Sequence, residues 1–100
     1  METIELGGNI KLTGFSELEG SKMIVIKKII GTYGKKLSDK AKNFQELTIT
    51  MKKVHETDTG GIFEIHAKLM DDGKPIIGSI EDRNLFVAID SALKKVEHSI

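Results

Sequence analysis

The sequence contains no cysteine, no tryptophan and a single proline in 100 residues. The absence of cysteine excludes disulfide bonds, thiol catalysis and zinc sites built on thiolates. No apolar run approaches the roughly 20 residues that a membrane-spanning helix needs. The segment Met1–Glu5 carries two acids and no basic residue, whereas a secretory signal begins with basic residues. We therefore expect a cytoplasmic protein that makes no membrane contact.

Length and composition predict one globular domain over residues 1–100. Hydrophobic residues make up 39% of the chain and charged residues 30%, which is ordinary for a folded protein. A chain of this length can bury one hydrophobic core but not two.

Charge is distributed unevenly, although the formal net charge is zero. Residues 21–55 hold nine of the 15 Lys and Arg residues and only two acids, Asp39 and Glu46, which gives this segment a charge of +7. Residues 1–20 hold one cation and four acids, and residues 56–100 hold five cations and nine acids, so their charges are −3 and −4. A basic region of this kind can bind a polyanion, because phosphates respond to the local field.

Apolar spacing predicts two helices. The first has a stripe at intervals of three and four residues through Met23, Ile26, Ile30, Tyr33, Leu37 and Ala41. Ser16 or Ser21 could cap it, and Gly31 and Gly34 leave its continuity open because each disfavours a helix. The second helix has an apolar face at Leu85, Phe86, Ala88, Ile89, Ala92, Leu93 and Val96, with Asp82 as its expected cap.

Alternation of apolar and polar residues predicts four strands. They begin at Ile10, at Leu47, near Phe63 and at Pro75, the last running to Ile80. Turns are expected at Thr57–Gly61 and Asp71–Gly73, and a hairpin register that places Lys52 opposite Glu64 and Thr50 opposite His66. Residues 1–8 are either an additional edge strand or a loose arm.

The predicted order β-α-β-β-β-α defines an α+β fold. We expect a four-stranded, mostly antiparallel sheet with both helices on one face and the other face open to solvent.

The first helix carries the main candidate site. Lys28, Lys35 and Lys42 are seven residues apart, so a continuous helix would align them over about 21 Å. Lys36 and Lys40 would flank this row, opposite the apolar stripe. Such a row can follow a phosphate backbone with little sequence discrimination. The alternative is that these lysines only solvate an exposed helix.

Nothing in the sequence indicates an enzyme, a cofactor or a small-molecule substrate. His55, His66 and His98 lack the spacing of metal ligands, and Asp71 and Asp72 fit a turn better than a calcium loop. The serines lack the nucleophile-elbow sequence.

The segment Ile80–Glu97 resembles the last helix of the ribosome hibernation-promoting factor family, also called ribosome-associated inhibitor A. The phrase Ala88-Ile89-Asp90 and the paired Lys94-Lys95 carry this resemblance, and Ile10–Phe15 is similar to the family's first strand. The resemblance implies a double-stranded-RNA-binding-domain-like fold that occupies the decoding channel of the small ribosomal subunit and so inhibits translation. It also implies that Lys28, Lys35, Lys36, Lys40, Lys42, Lys94 and Lys95 face ribosomal RNA.

A protein-interaction or self-association module is the alternative function. Its interface would be the open sheet face, where Val54, Ile62 and Met70 could form an apolar patch, or the edge strand near Pro75–Ile80. In that case the chain could form a homo-oligomer.

Overall fold

The computed structural model describes residues 2–57 and 60–100, without the side chains of residues 55–57. The chain forms five strands and two helices, in the order β1 (Thr3–Gly7), β2 (Ile10–Thr13), α1 (Gly20–Lys40), β3 (Phe44–Thr57), β4 (Gly60–Asp71), β5 (Lys74–Asp82) and α2 (Leu85–His98). The α+β class and the two helices are confirmed. The predicted turn Thr57–Gly61 includes residues 58 and 59, which lie outside the described residues.

The sheet has five strands rather than the four that we predicted, in the order β1-β2-β3-β4-β5. The additional strand is β1, which pairs antiparallel with β2 and places Ile4 against Leu12. Gly7, Gly8 and Asn9 make this hairpin possible, because all three have positive φ angles of 85°, 57° and 64°. Glycine and asparagine tolerate that conformation better than other residues do.

The remaining strand pairs give a mixed, open sheet. Strands β2 and β3 are parallel, and β3, β4 and β5 are successively antiparallel. The predicted hairpin register is confirmed, since Lys52 lies opposite Glu64 and Thr50 opposite His66. The β4–β5 turn is confirmed at Asp72 and Gly73, whose φ angles are 52° and 79°, as expected for a two-residue hairpin loop. Strand β5 is longer than predicted.

Both helices pack on one face of the sheet and enclose a single core. The fully buried sheet residues Leu12, Ile49 and Ala67 lie side by side on this face. Ile30 of α1 and Leu93 of α2 belong to the same buried cluster. The side chains between these strand positions, such as Thr48 and Lys68, point to the open face and are not buried.

Helix α1 is continuous through both glycines, which settles the question that the sequence left open. Gly34 is buried. A Cβ at this position would lie only 2.8 Å from Ile10 Cδ1. Glycine therefore lets α1 approach the sheet closely enough to bury Ile26, Ile30 and Leu37. These contacts offset the helix propensity that glycine lacks.

The predicted helix caps are wrong. Helix α1 begins after Glu19, which makes no side-chain capping hydrogen bond, and neither Ser16 nor Ser21 occupies the cap position. Helix α2 is capped by Asn84, whose side-chain oxygen accepts hydrogen bonds from the N–H groups of Phe86 and Val87. Asp82 ends β5 and accepts a hydrogen bond from the Asn84 N–H at 2.8 Å. Sequence inspection missed Asn84 because both residues are good capping types only two positions apart.

Among the described residues, neither helix is both long enough and apolar enough to cross a lipid bilayer.

Candidate functional site

The exposed surface of α1 carries six lysines spread over more than half of the helix circumference, and Asp39 is the only acid of the helix. All of these lysines are exposed: Lys22, Lys27, Lys28, Lys35, Lys36 and Lys40. No ion pair joins any of them to a carboxylate within the part of the chain that the structure describes. We call this surface the lysine face.

Lys28 and Lys35 lie on the side of α1 that points directly away from the core. At 3.6 residues per turn they fall almost opposite the buried Ile30 and Leu37. Lys35 has an acid four residues later, Asp39, but no ion pair forms between them. A basic residue preceding an acidic one is the weaker orientation of such a pair in a helix. The two lysines thus form the outermost cationic pair of the helix.

Lys36 and Lys40 lie on the side of α1 that faces α2. The ammonium of Lys36 stands over the ring of Tyr33, 5.2 Å from its centroid. Lys40 Nζ donates to the carbonyl oxygen of Glu97 at 3.5 Å. Both side chains therefore have defined positions and remain exposed to an external anion.

Lys42 is not part of the helical row that we predicted. Helix α1 ends at Lys40, and Ala41 has an extended conformation with ψ 147°. The buried carboxylate of Asp71 holds the following segment, because its oxygens accept from the N–H groups of Lys42 at 3.4 Å and Asn43 at 2.8 Å. Lys42 is exposed next to the end of the lysine face. The segment that Asp71 holds, and not α1, sets the position of its backbone.

The two lysines of α2 have partners within the chain. Lys94 Nζ lies 3.2 Å from Asp90 Oδ2, in the favourable acid-before-base orientation. Lys95 Nζ donates to the carbonyl oxygen of Ser79 on the edge strand β5 at 3.2 Å. These cations point to different sides of α2 and do not extend the lysine face as a single row.

Tyr33 and Asp90 join the two helices. The Tyr33 hydroxyl donates to Asp90 Oδ1 at 3.0 Å, and burial, followed by this hydrogen bond, raises the pKa of Tyr33 to about 12. The Tyr33–Asp90 and Lys40–Glu97 contacts both join residues that are 57 positions apart. The helices therefore run parallel. Sequence inspection did not identify this contact, because it joins distant segments.

The open face of the sheet differs, since it contains two ion pairs. Lys11 Nζ lies 3.3 Å from Glu46 Oε2, and the Thr48 hydroxyl donates to the same carboxylate at 3.0 Å. The hydrogen bond from Thr48, and then that from Lys11, lowers the pKa of Glu46. Glu64 pairs with His66, and this hydrogen bond lowers the pKa of Glu64.

The hollows on the described surface include two that border charged side chains of the sheet or of α1. One, of about 280 Å³, is on the open face between Thr48, Thr50, His66 and Ile77. The other, of about 680 Å³, lies near the start of α1, where lysines such as Lys22 alternate with acids such as Glu17. No group of three His, Asp or Glu side chains suited to a metal ion occurs among the described residues. The lysine face is therefore the strongest candidate for a binding surface.

Comparison with known proteins finds no family model and no curated sequence that matches this chain.

Proposed function

We propose that this protein binds structured RNA through the lysine face and Lys42, and that it acts by occupying its site rather than by catalysis. The observation that carries the proposal is the set of six exposed α1 lysines, none of which forms an ion pair with a described carboxylate. A stable surface needs no such arrangement, because mixed charges solvate a helix equally well and repel each other less. A polyanion, in contrast, is attracted by it.

The rigidity of α1 supports RNA as the polyanion. Its 21 residues form one helix that is anchored to the core from Ile26 to Leu37, and they extend over roughly 30 Å. The backbone that carries the lysines is therefore already ordered before binding. A row of fixed cations matches a structured phosphate backbone better than a flexible chain, which would lose entropy on binding.

Few aromatic side chains are available to stack on unpaired bases. Phe15 and Tyr33 are buried, and Phe44, Phe63 and Phe86 pack against the core. Recognition would therefore depend on the phosphate backbone and on helical shape, as is usual for double-stranded RNA.

The small ribosomal subunit is the RNA-containing partner that we propose. This part of the proposal rests on the resemblance of Ala88–Asp90 and Lys94-Lys95 to the hibernation-promoting factor family, and on the β-α-β-β-β-α order that follows β1. In this proposal the protein is a double-stranded-RNA-binding-domain-like hibernation or translation-inhibition factor. Because Lys94 and Lys95 have partners within the chain, we assign most of the binding to α1 in this proposal.

The test is sedimentation of ribosomal subunits on a sucrose gradient with purified protein. The wild type should travel with the small subunit at low salt. Changing Lys28, Lys35 and Lys42 together to Glu should leave the protein at the top of the gradient. All three side chains are exposed, so circular dichroism and the melting temperature should show that the variant remains folded.

The matched control reverses three other exposed cations, Lys68, Lys74 and Arg83, and so changes the net charge equally. It should still sediment with the subunit. Cosedimentation of the α1 variant would exclude these lysines as the binding surface, and equal loss in both variants would show that only net charge matters.

The second candidate is a protein-interaction module on the open face. Ile77 favours it, since this side chain is 60% exposed next to Pro75 and the half-buried Met70. An Ile77→Ser variant should then lose binding or self-association while the α1 variant retains it, measured by analytical ultracentrifugation and pull-down from lysate.

A further inference from the structure

Gly31 lies in the middle of α1 without a steric reason to be glycine. A Cβ at this position would have no atom within 4 Å, and the residue is exposed. Gly34, in contrast, is required by the approach of Ile10, whose Cδ1 would be 2.8 Å from its Cβ. An exposed glycine destabilises a helix interior relative to almost any other residue except proline. Within the part of the chain that the structure describes, no packing contact at Gly31 offsets this loss.

The position of Gly31 suggests that glycine is present there for binding. It lies between Lys28 and Lys35 along the axis of α1, about 50° around the helix from the line that joins them, and neither lysine has an ion-pair partner among the described carboxylates. The two lysines are about 10.5 Å apart along the helix axis at 1.5 Å per residue. A lysine stem reaches roughly 6 Å from its Cα, so both ammonium groups can extend over the turn at Gly31.

We propose that Gly31, Lys28 and Lys35 form a seat for one phosphate group of the RNA backbone. The absence of a side chain at Gly31 lets the phosphate lie against the helix backbone, where both ammonium groups can contact it from opposite sides. A larger side chain would hold the phosphate away from at least one of them, and the Coulomb energy falls with distance. This inference rests on the proposed function, and it specifies where on the lysine face the closest contact occurs.

The test is the Gly31→Leu substitution, which changes no charge. Leucine favours a helix far more than glycine, so the variant should melt about 3–6 °C higher than the wild type. It should nevertheless bind an RNA duplex of about 20 base pairs more weakly, with a salt-dependence slope that is smaller by about one, as expected when one phosphate contact is lost. Fluorescence anisotropy of a labelled duplex between 50 and 200 mM KCl measures both quantities. A folding defect cannot produce higher stability together with weaker binding.

Ser21→Leu is the matched control. Ser21 is also an exposed small residue of α1, but it lies outside the Lys28–Lys35 interval. It should bind the duplex with the affinity and salt slope of the wild type. Equal weakening in both leucine variants would overturn the seat, because added apolar bulk anywhere on α1 would then explain the loss.

The variant with Lys28, Lys35 and Lys42 changed to Glu separates this proposal from the proposed function. If that variant loses the duplex while Gly31→Leu binds like the wild type, the seat is wrong and the lysine face remains the binding surface. If the lysine variant still binds the duplex, both proposals are wrong.

Discussion

The outer face of α1 and the open face of the sheet both contain several charged residues, but they arrange them differently. On the sheet, Lys11 contacts Glu46 and His66 contacts Glu64. On α1, six lysines have one acid among them, and no ion pair forms with a described carboxylate. Pairing of opposite charges is what a surface in contact with water alone tends to show. The comparison therefore separates a solvated surface from one that is suited to an anionic partner.

The largest expected effect is the response of RNA binding to salt. If the lysine face neutralises about four phosphates, raising KCl from 50 to 200 mM should weaken binding about a hundredfold, because each contact releases condensed counterions. Binding of a protein partner through Ile77 and its apolar neighbours on the open face should hardly change. Anisotropy with an RNA duplex and pull-down of a protein partner, each at both salt concentrations, sharpen the comparison. A flat response of RNA binding would contradict the electrostatic mechanism.

The two faces of the sheet should also differ in their tolerance of a single methyl group. Gly78 is buried on the covered face, where a Cβ would lie 2.4 Å from the Ala92 carbonyl oxygen and 3.0 Å from Lys95 Cβ. Gly78→Ala should therefore destabilise the fold by about 2–3 kcal/mol, because α2 must move away from β5. The melting temperature should fall by about 10 °C or more.

Ser79→Thr is the control, since it also adds one methyl group, and Ser79 is exposed and on the open face. Its effect should stay within about 0.5 kcal/mol. Equal melting temperatures of the two variants would mean that α2 is not fixed against β5 as closely as the structure shows.

Tyr33 makes the stability of the folded protein sensitive to alkaline pH. Burial, and then the hydrogen bond to Asp90, raises its pKa in the folded protein from the ordinary value of 10.0 to about 12, so the unfolded chain loses this proton first. The stabilisation is complete below pH 10 and decreases as the pH rises from 10 to 12. Tyr33→Phe should remove this decrease, while the titration of the lysines continues in both proteins. Urea denaturation at pH 8 and above pH 10 measures the difference.

The absorbance of tyrosinate gives an independent measurement, because Tyr33 is the only tyrosine and the chain has no tryptophan. An ordinary midpoint near pH 10 would show that the contact with Asp90 does not persist in solution.

Periodicity predicted most of the fold. The stripe from Ile26 to Leu37 and the alternation along β3 and β4 identified both sides of the core correctly, because these patterns follow from burial itself. The same reasoning did not decide whether residues 3–7 pair, since a short edge strand has a weak pattern. It also chose Asp82 instead of Asn84 as a cap, a choice that depends on where the preceding strand ends.

The candidate site was less predictable than the fold. Exposure of Lys28 and Lys35 followed from their position opposite the apolar stripe. The position of Lys42 did not, because it depends on the hydrogen bonds of Asp71, 29 residues away. The partners of Lys94 and Lys95 illustrate the same limit, since spacing suggests the Asp90–Lys94 pair but gives no indication of the contact with Ser79.

The smallest effect should come from the open face, at the pair of Lys11 and Glu46. Both side chains are exposed, by 38% and 41%, and exposed pairs contribute little to stability. Lys11→Ala should move the pKa of Glu46 only part of the way back to its ordinary value, because the larger contribution, the Thr48 hydrogen bond, remains. Since the pKa of Glu46 is lowered in the folded protein, the stabilisation is present above the ordinary carboxyl pKa and is lost as the pH falls. An NMR titration of the carboxyl measures the shift, and RNA binding by the same variant should equal that of the wild type. A loss of RNA affinity as large as that of a single α1 lysine would remove the distinction between the two faces, because a cation paired within the chain would then bind as strongly as an unpaired one.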